Sequence, residues 1–142
     1  MRNNLSKRLI ISTLIFNPLI LPIFPSLSGQ ETEIQKAVPY LITQTPDSWQ
    51  TMALIAAGEI DLDLNHLKEV TGNLATDYEK TILALTATGY DPRTFGNIDF
   101  ITQLKSFHQE SQLGSPDLLN DDFWGILALV SAGENTSDQI IE

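Results

Sequence analysis

The sequence contains no cysteine. A chain without thiols has no disulfides to hold it, so its fold must be secured by packing, and no thiolate-bound metal can be assembled. Histidine is almost as scarce: His66 and His108 are the only two, and neither has a second histidine one helical turn away. The paired-histidine pattern of helical zinc sites is therefore missing, and each reads more simply as a surface or stripe-edge residue. Positive charge is short as well. Eight Lys and Arg stand against 18 Asp and Glu; three of the basic residues precede residue 29, leaving five basic against 18 acidic residues in 29–142, a net charge of −13. A field of that sign repels nucleic-acid phosphates and anionic lipid headgroups, which argues against both partners. Cations remain open as ligands, while solubility outside the cell is the ordinary reading of such acidity. Also absent are a G-x-x-x-x-G-K-[ST] phosphate loop, an H-E-x-x-H pair and a G-x-S-x-G nucleophile turn.

The start of the chain, "MRNNLSKRLIISTLIFNPLILPIFPSLSGQE", stands apart from the rest. Arg2, Lys7 and Arg8 form a basic leader, Leu9 to Phe24 is apolar, and Ser26-Leu27-Ser28 places small residues where a signal peptidase needs them. Residues 1–28 are expected to be a secretory signal peptide, with a retained N-terminal anchor as the alternative. Pro18, Pro22 and Pro25 favour cleavage, because each removes a backbone donor from a would-be spanning helix. Either way the remainder is expected outside the cytoplasm, secreted or at the cell surface. Any membrane contact would run through an uncleaved leader. Residues 29–142 suffice for one domain.

That domain repeats itself. "SWQTMALIAAGE", "YEKTILALTATGY" and "FWGILALVSAGE" align without gaps on Gly58, Gly89 and Gly133, each with Ala-Leu shortly before the glycine: Ala53-Leu54, Ala84-Leu85 and Ala128-Leu129. Trp49 and Trp124 occupy one equivalent position, where the middle copy has Lys80. Every copy opens on helix-start residues: Asp47-Ser48, the Thr76-Asp77-Tyr78-Glu79 string of a capping box, and Asn120-Asp121-Asp122. Glycine then supplies the left-handed residue that closes the helix.

Helices of a second kind are expected between these. Ile34, Ala37, Val38, Leu41 and Ile42 form one apolar stripe, Leu64, Leu67 and Val70 a second, and Ile101, Leu104, Phe107 and His108 a third, with Phe100 beside it. The repeat helices are instead apolar or small nearly all round, as enclosed helices are. The two kinds alternate three times: 32–43 then 48–57, 61–71 then 77–88, 98–109 then 121–132. The fold expected is all-α, three helix pairs with an outer layer wrapped around an inner one. No segment reads as a strand, and "HQESQLGSPD" reads as a loop.

The string "DYEKTILALTATGYDPRTFGNIDFITQLKSF", followed by "NDDFWGILALVSAG" and preceded by "AVPYLITQTPDSWQTMALIAAGE", resembles the prenyltransferase and squalene-cyclase type of repeat. It is most similar to non-catalytic versions in exported bacterial surface proteins. The resemblance implies an α/α toroid of the terpenoid-cyclase type, and three pairs would make an incomplete ring, an arc that a second copy in a homodimer could complete. It also implies what to look for as chemistry. The Asp-x-Asp-Asp acid of the cyclases has no counterpart beyond Asp61 and Asp63, and the zinc site of the prenyltransferases needs a cysteine that is not there.

No catalytic residue, metal ligand or cofactor is therefore assigned. If the inner helices run the same way, their starts would gather Trp49, Asp77, Tyr78, Asp121, Asp122, Phe123 and Trp124 at one mouth, where carboxylates and aromatics could face a ligand. Helix capping accounts for the same acidic residues without a ligand. The functional expectation is an exported, non-catalytic helical-repeat module for binding or interaction. A truncated relative of an isoprenoid cyclase or prenyltransferase, and a structural remnant without ligand, are the alternatives. Export from a bacterial host should yield a product starting at Gly29 by intact mass; a mass that includes the leader would select the anchor.

Overall fold

A computed structural model describes residues 28–109 and 112–135, with side chains from residue 33. The leader expected over 1–28 lies, but for Ser28, outside the described residues. Among the described residues five α-helices carry the structure: α1 (Ser28–Ile42), α2 (Ser48–Ala56), α3 (Ala75–Ala87), α4 (Phe100–Lys105) and α5 (Leu119–Ser131). Two 3-10 turns, Asn65–Leu67 and Phe95–Asn97, and a two-residue antiparallel pair, β1 (His108–Gln109) with β2 (Gln112–Leu113), complete it. The all-α expectation holds at this coarse level.

The repeat is visible in the backbone. At each glycine the helix closes with the same two hydrogen bonds: Gly58, Gly89 and Gly133 N–H donate to Ile55, Thr86 and Val130, and the following Glu59, Tyr90 and Glu134 N–H donate to Leu54, Leu85 and Leu129. All three glycines have positive φ (94°, 81° and 78°), which a side chain would strain. The leucine of each Ala-Leu pair thus accepts the closing bond through its carbonyl. Its side chain points the other way, into the interior: Leu54, Leu85 and Leu129 are all buried.

Helix α3 is the centre, with α2, α4 and α5 all packed against it. Ile82 and Leu85 from α3, Phe100 and Leu104 from α4, Leu129 from α5 and Leu67 from the first 3-10 turn are fully buried in one cluster. Each such side chain is worth roughly 1.5–3 kcal/mol of transfer free energy, so this cluster outweighs every polar contact described below. Ala84 and Ala128 lie at the same interface with no exposed surface, and their size lets the backbones of α3 and α5 approach. Gly125 lies beside Glu79 toward the starts of α5 and α3, and the Ser131 and Thr86 hydroxyls meet at 3.2 Å near their C-terminal ends, so α3 and α5 run side by side in one direction. The first residue of α2, Ser48, reaches Thr81 of α3 at 3.5 Å.

The outer helices are shorter than the stripes suggest. Over 61–71 only the 3-10 turn Asn65–Leu67 forms, because the Asp63 carboxylate accepts the Asn65 N–H (2.9 Å) and closes a local turn that competes with an α-helix. The stripe still faces inward, with Leu67 buried and Leu64 and Val70 packed on the core. Over 98–109 the helix is confined to Phe100–Lys105, capped by Asp99, whose carboxylate takes the Thr102 N–H at 3.0 Å. Phe100 belongs to the core and is not merely beside the stripe. The chain then leaves the helix: the Gly114 N–H returns to the Phe107 carbonyl (3.1 Å) and brings His108–Gln109 beside Gln112–Leu113, so the expected loop contains a short strand pair.

Two expectations about the helices' surroundings also fail. In α1 the stripe is largely uncovered, since only Val38 and Leu41 are partly shielded while Ile34, Ala37 and Ile42 are exposed. Helix α5, apolar nearly all round, is not enclosed. It buries Gly125, Ala128 and Leu129 toward its neighbours and leaves Phe123, Leu127 and Val130 exposed.

The turn after Gly89 carries its own fastening. Asp91 accepts the Arg93 N–H at 3.0 Å, and Pro92 is buried with its carbonyl accepting the Phe100 N–H at 3.0 Å. The Arg93 guanidinium donates to the Ala132 carbonyl (3.0 Å) at the end of α5, to Asp91, and to Glu134, which Lys105 also reaches at 2.6 Å. Hydrogen bonds from Lys105 and then Arg93 hold the Glu134 carboxyl below its ordinary range. Its contribution is thus complete above the unfolded value near 4.5 and is lost as pH falls through the lowered folded value. Arg93→Ala should cost about 1–2 kcal/mol at neutral pH. Urea denaturation of the cycle with Glu134→Gln should show coupling that vanishes in acid.

Candidate functional site

The structure divides the expected mouth into three separate groups. Trp49, in the first turn of α2, and Trp124 of α5 meet edge to face with ring centroids 5.2 Å apart. This contact brings together two residues at equivalent positions of the repeat. Phe123 lies next to Trp124 in sequence and is 67% exposed, with Trp49 at 50%.

Asp77 and Tyr78 belong elsewhere. The Asp77 carboxylate accepts the Leu74 N–H at 3.1 Å and the Lys80 ammonium at 2.7 Å. Burial pushes its pKa up, but these bonds from Lys80 and Leu74 outweigh that and hold it below the ordinary value. It is therefore a helix-start residue, and it takes the reach-back role that the T-x-x-E pattern assigns to Glu79. Tyr78 packs on Phe107 with ring centroids 5.3 Å apart.

Asp121 and Asp122 form the third group, and both are turned onto the loop that precedes α5. Asp121 is buried and accepts the Ser115 N–H (3.0 Å) and the Asn120 side-chain amide (3.1 Å); Asp122 accepts the Leu113 N–H (2.8 Å). These carboxylates fix the path from β2 into α5. A Cβ at Gly114 would fall within 2.3 Å of Asp121 Oδ2, so the loop closes on the carboxylate only because that residue has no side chain.

Sequence reasoning missed the most unusual group here, Glu79. It is 1% exposed, and neither of its carboxyl oxygens has a hydrogen-bond partner. Burial, reinforced by the negative charges of Asp121 and Asp122, pushes its carboxyl up to about 8. At neutral pH it is mostly the uncharged acid, the form that costs least to keep away from water. The clue in the sequence was Gly125, a glycine inside an otherwise apolar helix. A Cβ there would stand 3.4 Å from Glu79 Oε1 and would collide with Leu113, which covers this spot from β2. Ser48, the residue equivalent to Glu79 in the first copy, is also a buried polar group.

Among the described residues no three His, Asp or Glu side chains come together in a way that would hold a metal ion. Comparison with family models, curated proteins and solved structures finds no match to this chain.

Between the unfolded pKa of 4.5 and the folded value of about 8, Glu79 gives the native state one more bound proton than the unfolded state. Stability should therefore fall as pH rises across that window, by about 1.4 kcal/mol per pH unit from this residue, with no penalty below it. Glu79→Gln should remove this component, so that the variant gains on the parent most at pH 8 and least at pH 5. Urea denaturation across that range measures the difference.

Proposed function

We propose that this chain is an exported, non-catalytic helical-repeat interaction module, an arc of the α/α-toroid type, and that two copies associate through the open face of α5. The observation that carries this reading is the apolar surface formed by Leu119, Phe123, Ile126, Leu127 and Val130, continued by Trp124 and Trp49. The three aromatics alone expose roughly 300 Å², taking about 150–250 Å² for each whole side chain and scaling by its exposure. That alone reaches the size of the largest apolar patch on a typical monomer, and the exposed aliphatic side chains of the same face extend it.

The repeat supports a helical occupant. Helix α3 is covered on this side by α5, while the equivalent side of α5 is open, so the next layer of the arc has a surface made ready for it. Charge supports a second copy of the chain as that occupant. With −13 over residues 29–142, two copies repel wherever acidic side chains face each other, but residues 123–133 carry no charge at all. A two-fold contact of α5 on α5 joins the molecules through this neutral strip.

The exported protein should therefore be a dimer by sedimentation equilibrium. Its association should tighten as salt screens the repulsion between the acidic surfaces. Phe123→Ser with Leu127→Ser should give a monomer with unchanged helical circular dichroism. A parent protein that is monomeric at high micromolar concentration, or a dimer indifferent to both substitutions, would refute the assignment.

A further inference from the structure

Glu79 lies at the seam where α3, α5 and β2 meet. A Cβ built on Gly125 would stand 2.1 Å from Leu113 Cδ2 and 3.4 Å from Glu79 Oε1, so the leucine covers the carboxyl where α5 gives it room. Both carboxyl oxygens are closed to solvent, and neither has a hydrogen-bond partner. The charges that act on them, those of Asp121 and Asp122, are negative. Titratable groups on the other elements packed against α3 are engaged elsewhere: Asp47 at the start of α2 with the Gln50 N–H, His66 with Thr51, Lys68 with Asn65 and Lys105 of α4 with Glu134. On α3 itself Asp77 holds Lys80. His108 pairs with Leu113 across the two strands and gives the carboxyl no hydrogen bond, and Asp117 is exposed.

The same two carboxylates tie down the segment that covers Glu79. Asp122 accepts the Leu113 N–H at 2.8 Å and Asp121 the Ser115 N–H at 3.0 Å, which fastens residues 112–118 to the first turn of α5. Packing beside this segment is open: Ala75, Phe107, Gly114, Ser115 and Leu118 line a cavity of about 260 Å³. Two hydrogen bonds and one buried leucine are thus what α5 contributes to holding the segment in place. Separating α3 from α5 would instead expose Ile82, Leu85 and Leu129 together with the alanines between them. An anion formed at Glu79 has these two routes to water, and release of 112–118 uncovers far less apolar surface.

We propose that residues 112–118 form a latch worked by the proton on Glu79. With the proton in place the seam is closed. Once it is lost, the anion repels Asp121 and Asp122, and their bonds to Leu113 and Ser115 give way. The segment then moves off and water reaches the carboxylate, while α2, α3, α4 and the rest of α5 stay packed. Because opening carries the loss of one proton, the ratio of open to closed molecules rises about tenfold per pH unit. The residues of the exposed α5 face take no part, so the latch and the dimer can fail independently.

The test is an NMR titration of the exported protein from acid to alkali, following the Glu79 carboxyl carbon and the leucine methyl groups. The carboxyl and the Leu113 methyls should change together with one midpoint near 8, while the methyls of Leu85, Leu104 and Leu129 keep their folded positions. Glu79→Gln should abolish the Leu113 step. Asp122→Asn leaves Glu79 in place, removes one negative neighbour and weakens the tie to Leu113, so it should lower the shared midpoint by about one pH unit. A carboxyl that titrates while Leu113 stays put would mean that the closed seam tolerates the charge. Simultaneous loss of all the folded methyl signals would mean that the whole domain unfolds instead. A Leu113 step that survives Glu79→Gln, or a midpoint that Asp122→Asn leaves unmoved, would assign the transition to another group. Each of these results overturns the proposal.

Discussion

The structure depends on the burial of α3 against α5. Ile82, Ala84 and Leu85 on one helix and Ala128 and Leu129 on the other are withdrawn from water, and α4, the 3-10 turn at Leu67 and β2 complete the same cluster around them. Nearly everything else is an accessory to this contact. The alanines set how near the two backbones come, and Gly125 lets Leu113 settle over the seam. Arg93, Glu134 and Lys105 fasten the far end of α5 to the turn after α3 and to α4. By comparison α1, which rests mainly on α2 with much of its stripe uncovered, contributes little to the core.

What could be read from the residues was local. The Ala-Leu and glycine pattern marked three helix ends, and all three close with the same pair of hydrogen bonds because that motif needs only the last six residues of each helix. The direction of the second and third stripes was legible for the same reason: Leu67, Ile101 and Leu104 face the core whether their segment forms an α-helix or a single 3-10 turn, whereas the stripe of α1 stays largely uncovered. Length was not legible, since Asp63 turning back on Asn65 and the chain reversing after Phe107 are decided by side-chain bonds that compete with helix propagation. Enclosure was not legible either. The composition of α5 says that it can be buried on every side, and only the arrangement of its neighbours says which side is left open.

The acidic residues show a similar division. Asp47 and Asp77 serve helix starts, as their positions suggest, and Asp99 does so at a helix whose start was placed too early, whereas Asp121 and Asp122 serve the loop before their helix, which no pattern within the helix could reveal. Glu79 looks in sequence like part of a cap, yet Asp77 occupies that role two residues earlier and Glu79 is turned inward. Its neighbours there are carboxylates. A buried acid beside two negative groups keeps its proton, so the interface most responsible for the fold carries a group that opposes it once alkali removes that proton.

The self-contained closure at Gly58, Gly89 and Gly133 bears on how such a chain changes over evolutionary time. Each helix carries its own stop signal, so duplication or loss of one unit alters the number of layers without rewriting the ends of those that stay. The surface exposed by such an event is the flank of a repeat helix, already apolar. Recombination can thus lengthen or shorten the array, and selection then acts on a single variable, whether the newly bared flank is made polar or left sticky.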